Sequence, residues 1–173
     1  MKDRPEYTAR KAFFDRVLTV FGRKPVLEAL HTPQLSLHAL HVADSNREDG
    51  VMEEILREAT RRRLTVLRHS RTELARISRN GRQDQGIALD ILCPAFARIE
   101  DYLQAPRTAP QRLLALDGIT NPQNLGMIIR SAAAGNIDGI LLAKRGNAAL
   151  GPLVIKASAG TLYRAPVLFC ESL

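Results

Sequence analysis

Between residues 113 and 134 the hydrophobic pattern changes period. Leu113, Leu114, Ala115 and Leu116 form a short, continuous apolar run, the signature of a strand covered on both faces. Asp117-Gly118 and Asn121-Pro122 then punctuate the chain. Leu125, Ile128, Ile129, Ala132 and Ala133 follow at i, i+3, i+4, i+7 and i+8, one apolar stripe of a helix. The pattern predicts a strand over 112–117 and a helix near 122–135. It continues with a strand over 138–143, a helix near 151–159 and a strand over 165–170. Asn121, Gln123, Asn124 and Arg130 are left off the apolar stripe. They fall at the carboxyl end of a strand and the start of the next helix, where open α/β sheets place ligand sites.

The first half alternates in the same way. Phe21–Leu30 becomes regular, with Pro25 suited to the first turn of a helix. Leu35–Val42 reads as a strand, and Asp44, Ser45 and Asn46 supply a turn or cap. Val51, Met52, Ile55, Leu56 and Ala59 make a helical stripe, and Leu64–Leu67 a second strand. Ser70 or Thr72 is placed to cap a short helix through Ile77, ended by Asn80-Gly81, and Gly86–Leu92 is a third strand. Strands alternating with helices predict an α/β layer structure in each half. Pro94, Pro106 and Pro110 interrupt a stretch without a long apolar stripe. The expected organisation is a basic extension at 1–17, an α/β domain at 18–94, a linker at 95–111 and a second α/β segment at 112–173.

Composition narrows the partners. The chain has 173 residues, 45% of them hydrophobic, which suffices for a packed core. A net charge of +7 favours a polyanion, and nucleic acid is the commonest. Aromatic residues make up only 5%, so recognition would lean on RNA shape and backbone more than on base stacking. Cys93 and Cys170 do not make a disulfide framework, and the charged opening Met1-Lys2-Asp3-Arg4 does not read as a signal peptide. No run approaches the roughly 20 apolar residues of a membrane span. The expectation is a cytoplasmic protein with reduced thiols. His31, His38, His41 and His69 stand apart from both cysteines, and His38 and His41 would face opposite sides of a strand, so no metal site is expected. The turn after 113–116 lacks Gly-x-Gly-x-x-Gly and no P-loop occurs, which argues against a dinucleotide-binding enzyme.

Asn121-Pro122-Gln123-Asn124-Leu125-Gly126 followed by Ile128-Ile129-Arg130-Ser131-Ala132 resembles the first motif of the SpoU family. The resemblance continues more loosely through 138–143 and 156–161. Phe21–Leu30 and Asp84–Leu89 look like the opening and closing elements of the SpoU substrate-binding domain. SpoU proteins are SPOUT-class RNA ribose 2′-O-methyltransferases that use S-adenosylmethionine. The resemblance therefore implies a small ribosomal-protein-like α/β domain for RNA, followed by a parallel-sheet, trefoil-knotted catalytic domain. The implied substrate is ribosomal or transfer RNA, ribosomal RNA being favoured, and the full-length parent is expected to be a homodimer. The family's later Gly-Glu-Gly-containing and Ser-Leu-Asn-containing motifs are not found here. The cofactor residues are thus unassigned, and the chain is expected to be the first part of a longer methyltransferase, its knot incomplete and its own transfer activity missing. The other reading left open is a non-catalytic RNA-binding module.

By the resemblance, Asn124 and Arg130 are the catalytic residues. A guanidinium stays protonated, so Arg130 is unsuited to be a base. Gripping a phosphate bidentately, it would lower the cost of charge building on a nearby ribose oxygen. Asn124 would hold the arginine, the loop or the ribose, whereas Asn121, just before Pro122, is the expected helix cap. Gly126 is expected to admit substrate backbone or a neighbouring strand. Arg23, Lys24 and Arg82 in the first half, and Lys144 and Arg145 after the strand at 138–143, are the candidate RNA phosphate contacts.

Overall fold

The computed structural model describes residues 12–47, 49–106 and 108–173. They fall into two compact units, one of Leu18–Leu92 and one of Cys93–Leu173 with the described N-terminal residues up to Val17. Among the described residues no helix is long and apolar enough to cross a membrane.

The first unit is a four-stranded sheet in the order β1-β4-β2-β3, from β1 (Val17–Phe21), β2 (Ser36–Ala43), β3 (Thr65–His69) and β4 (Ile87–Leu92). Strand β2 runs parallel to β3 and antiparallel to β4. Helices α1 (Arg23–Leu30), α2 (Gly50–Arg61) and α3 (Arg71–Ser78) connect the strands. Met52, Ile55 and Ala59 bury the stripe of α2, while Val51 stays exposed. The Asp49 side chain accepts from the Met52 N–H and caps α2. Ser70 caps α3 in a reciprocal box with Glu73. Leu74 of α3 packs with Ala43 and Ala88 of the sheet. Strand β1 lies inside what the sequence pattern marks as the end of a polar extension and the start of the regular region. It alternates half-buried and buried residues, and its pairing with β4 defines it.

The second unit holds a sheet in the order β5-β8-β7-β6, parallel at every pairing: β5 (Ala97–Arg98), β6 (Leu113–Leu116), β7 (Gly139–Ala143) and β8 (Val167–Cys170). Helices α4 (Ile99–Gln104), α5 (Pro122–Ala134) and α6 (Pro152–Ala157), with a 3₁₀ turn over Thr161–Arg164, complete it. Residues 97–104, expected within the linker, are a strand and a helix of this unit. Ala97 and Arg98 pair with Leu168 and Phe169, and Phe96 is buried against the Phe169 ring. A two-residue strand has no periodicity of its own to read. The helix expected at 151–159 ends at Ala157, and the chain turns through Ala159 and Gly160 at positive φ into the 3₁₀ turn.

Candidate functional site

Helix α5 begins where β6 ends. Asn121 caps it: its side-chain oxygen accepts from the Gln123 and Asn124 N–H groups at 2.8 and 3.2 Å, and Pro122 occupies the first turn. Leu125, Gly126, Ile129 and Ala132 form the buried face. Gln123, Asn124, Met127, Arg130 and Ser131 share the exposed arc. Asn124 and Arg130 sit about 9 Å apart along the axis and roughly 120° apart around it, on opposite margins of that arc. Neither side chain closes on the other. The site they imply is an open face of the helix, with Met127, 53% exposed, between them.

Gly126 does not face a strand or an open approach. A Cβ built there would lie 2.5 Å from the Ala157 Cβ and 2.7 Å from the Val154 carbonyl oxygen, so its missing side chain lets α6 cross α5 at backbone distance. Ser158 follows at the end of α6, fully buried, its hydroxyl donating to the Ile155 carbonyl.

The rim beyond β6 and β7 is organised by Asn147, a residue that no sequence motif marks. Its amide nitrogen donates to the carbonyls of Leu116 and Ala143, each at 3.2 Å, and its oxygen accepts from the Ile119 N–H at 2.9 Å. One side chain thereby ties together the ends of two strands and the turn that leads to Asn121. A lone Asn in a loop carries no sequence signal for that task. Beside it, the Lys144 ammonium donates to Glu171 at 2.6 Å and holds that carboxyl below its usual range. Arg145 is exposed. The polar groups of this rim are largely spent on one another. The residues of this rim therefore do not by themselves amount to a site for S-adenosylmethionine. Among the described residues no cluster suited to a metal occurs.

Arg23, Lys24 and Arg82 lie in the first unit, near one end of its sheet. Gly22 N–H donates to Ile87, and the Arg23 N–H donates to the Gln85 side chain, joining the start of α1 to the loop before β4. The Arg23 guanidinium pairs with Asp49 and donates to Asn46 at 2.9 Å. Asn46 in turn donates to the carbonyl of Gly86, which sits at φ +76° and would bring a Cβ to about 3 Å from the Asn46 side chain. Hydrogen bonding from Arg23 holds the Asp49 carboxyl below the ordinary carboxylate range. Arg23 is thus a structural tie for the loop after β2, and a phosphate would have to compete with Asp49 for it. Lys24 and Arg82 are exposed.

The sequence model for "RNA 2'-O ribose methyltransferase substrate binding" matches residues 19–92, and that for the "SpoU rRNA Methylase family" matches residues 111–173. A protein called an uncharacterized tRNA/rRNA methyltransferase in Mycolicibacterium smegmatis is 36% identical over 168 residues, covering 96% of this chain and 52% of the relative. One from Mycobacterium leprae is 38% identical over 154 residues, covering 88% and 49%. The chain spans about half the length of the curated relatives it matches. A crystal structure of an AdoMet-bound rRNA methyltransferase from Sinorhizobium meliloti is similar at 20% identity and a TM-score of 0.47, over 96% of this chain and 57% of that one.

Proposed function

Since the chain belongs to the SpoU family, we propose that it serves the S-adenosylmethionine-dependent 2′-O-methylation of ribose in structured RNA in the cytoplasm, ribosomal RNA ahead of transfer RNA. The observation that carries this reading is α5: the family motif is realised as a capped helix at the carboxyl end of β6, with Asn124 and Arg130 turned to solvent and Asn121 spent on the cap. The first unit is the RNA-holding domain, with Lys24 and Arg82 meeting phosphates directly and Arg23 doing so by exchanging Asp49. In the second unit Arg145 is available, and Lys144 would exchange Glu171. Arg130 grips a backbone phosphate next to the target ribose and offsets charge on the attacking oxygen. Asn124 positions the ribose or the loop beside it. The crowded rim at Asn147, Lys144 and Glu171 supports a division of labour: these residues bind RNA and supply Arg130, while methyl-donor binding needs groups beyond them, in a homodimeric parent.

Transfer of labelled methyl groups from S-adenosylmethionine to ribosomal and transfer RNA tests this, measured for this chain alone and for the polypeptide as the cell makes it. The cellular polypeptide should label ribose 2′-oxygens, and this chain alone should bind RNA without labelling it. Arg130→Ala and Arg130→Lys in the cellular polypeptide should each lose activity by about a hundredfold or more, Lys failing because it lacks the planar fork. Activity within a few-fold of the parent would overturn the role of Arg130. RNA binding with no transfer by either form would leave a non-catalytic RNA-binding module.

A further inference from the structure

A hydrogen-bonded row of side chains crosses the first unit's sheet in strand order. On β1, the Thr19 hydroxyl donates to Asp90 Oδ1 on β4 at 2.7 Å. Asp90 Oδ2 lies 3.1 Å from His41 Nε2 on β2, and His41 Nδ1 lies 2.9 Å from His69 Nε2 at the end of β3. The two imidazoles lie 5.1 Å apart, tilted by 31°. Asp90 and His41 are buried, Thr19 and His69 half-buried.

Chemistry sets the protons along this row. A buried carboxylate costs least when ionised and fully bonded, and Thr19 and His41 both donate to it. That places a hydrogen on His41 Nε2 and leaves His41 Nδ1 as an acceptor. His69 must then donate from Nε2, so its remaining lone pair is on Nδ1, and among the described residues Nδ1 has no partner. With the other ring nitrogens engaged along the row, His69 Nδ1 is the ring nitrogen left with a lone pair to receive a proton. The positive charge so formed is balanced through His41 by Asp90. Other charged neighbours are Glu73 and Arg76 on α3, the Glu73 carboxyl being held below its usual range chiefly by hydrogen bonds from the Ser70 hydroxyl and N–H and less by the His69 ring, together with Arg68, next to His69 in the strand, and Asp44, whose N–H donates to the His69 carbonyl. Among these carboxylates Glu73 is already committed to Ser70.

We propose that the Asp90–His41–His69 row is a proton-linked contact for an RNA phosphate: His69 takes up one proton at Nδ1 and donates it to the phosphate. This rests on the RNA-binding reading above and adds to it a residue and a pH signature. The row is carried by strands β4, β2 and β3, so the contact is fixed by the sheet and not by a loop. The half-buried ring supplies a directional donor for a phosphate.

The test measures binding of this chain to a structured ribosomal RNA fragment between pH 8 and 5.5 at constant salt, beside His69→Gln and the control His38→Gln. Over that range the parent and His38→Gln should tighten by about tenfold more than His69→Gln, since one linked proton changes an equilibrium by at most tenfold per pH unit. At pH 8 the parent and His38→Gln should bind alike. Equal pH dependence in His69→Gln overturns the proton-linked contact and leaves the RNA reading standing. No RNA bound at any pH overturns both. Should His69→Gln fail to fold, imidazole proton resonances of the parent decide: His41 and His69 should titrate as a coupled pair, with a midpoint raised by RNA. An unchanged midpoint overturns the proposal.

Discussion

At Gly126 two opposed effects meet. Replacing glycine by alanine inside a helix ordinarily gains up to about 1 kcal/mol of backbone preference. Here the new methyl would press on the Ala157 Cβ and the Val154 carbonyl oxygen at 2.5 and 2.7 Å, and backbone cannot step aside as a flexible side chain can. Overpacking of this kind typically costs 1–3 kcal/mol, so Gly126→Ala should lower the melting temperature of the protein despite the helix preference. A melt at or above that of the parent would mean that α6 can retreat from α5. The same few residues divide between building the helix and facing solvent. Gly126 and Asn121 are used up in building the helix, whereas Asn124 and Arg130 are turned outward on it.

Among the elements, α2 depends on a cap that is itself held by a cation. Asp49 caps the helix through the Met52 N–H, and Arg23 keeps its carboxyl ionised below the usual carboxylate range. A depressed folded value means that the contribution is fully present above the ordinary carboxylate range and is lost as pH falls through the folded value. Protection of the amides in the first turn of α2, taken relative to intrinsic exchange at each pH, should therefore fall on acidification from near pH 4 downward, and Asp49→Asn should flatten that dependence. Long periodic elements like α2 and α5 were legible in the sequence because each carries its own stripe and its own cap. Observed bounds of Gly50–Arg61 and Pro122–Ala134 agree with the pattern at Val51–Ala59 and 122–135. Strands β1 and β5 were not legible, since β1 is a short run beside a basic extension and β5 is two residues defined only by its pairing with β8. The motif marks Asn124 and Arg130 as candidates through local order. Asn147 and the Thr19–Asp90–His41–His69 row were out of reach, because their partners are set by which strands lie side by side.

For the whole molecule, net charge overstates what is available to a polyanion. Of 25 lysines and arginines, several are committed within the fold. Arg62 donates to the carbonyls of Leu30, Thr32 and Leu35, Arg61 pairs with Glu58, and Arg98 pairs with Glu100. Arg71 donates to the fully buried Asp84 at 2.7 Å and to the Gly81 carbonyl at 2.9 Å. RNA affinity should fall with salt, because each phosphate contact releases counterions, but with a slope set by the exposed cations and not by the total. Lys24→Ala and Arg82→Ala should each reduce the slope of log K against log salt by about one and leave the melting temperature unchanged. Arg71→Ala should do the reverse. Asp84 accepts from Ser78 and the Gly86 N–H as well as from Arg71, and stripping the cation from a buried carboxylate costs roughly 1–3 kcal/mol. The melting temperature should drop while the salt slope stays put. If Arg71→Ala changed the slope by one and spared the melt, Arg71 would belong to the RNA face, and the division between cations that build the sheet's loops and cations that meet phosphate would have to be redrawn.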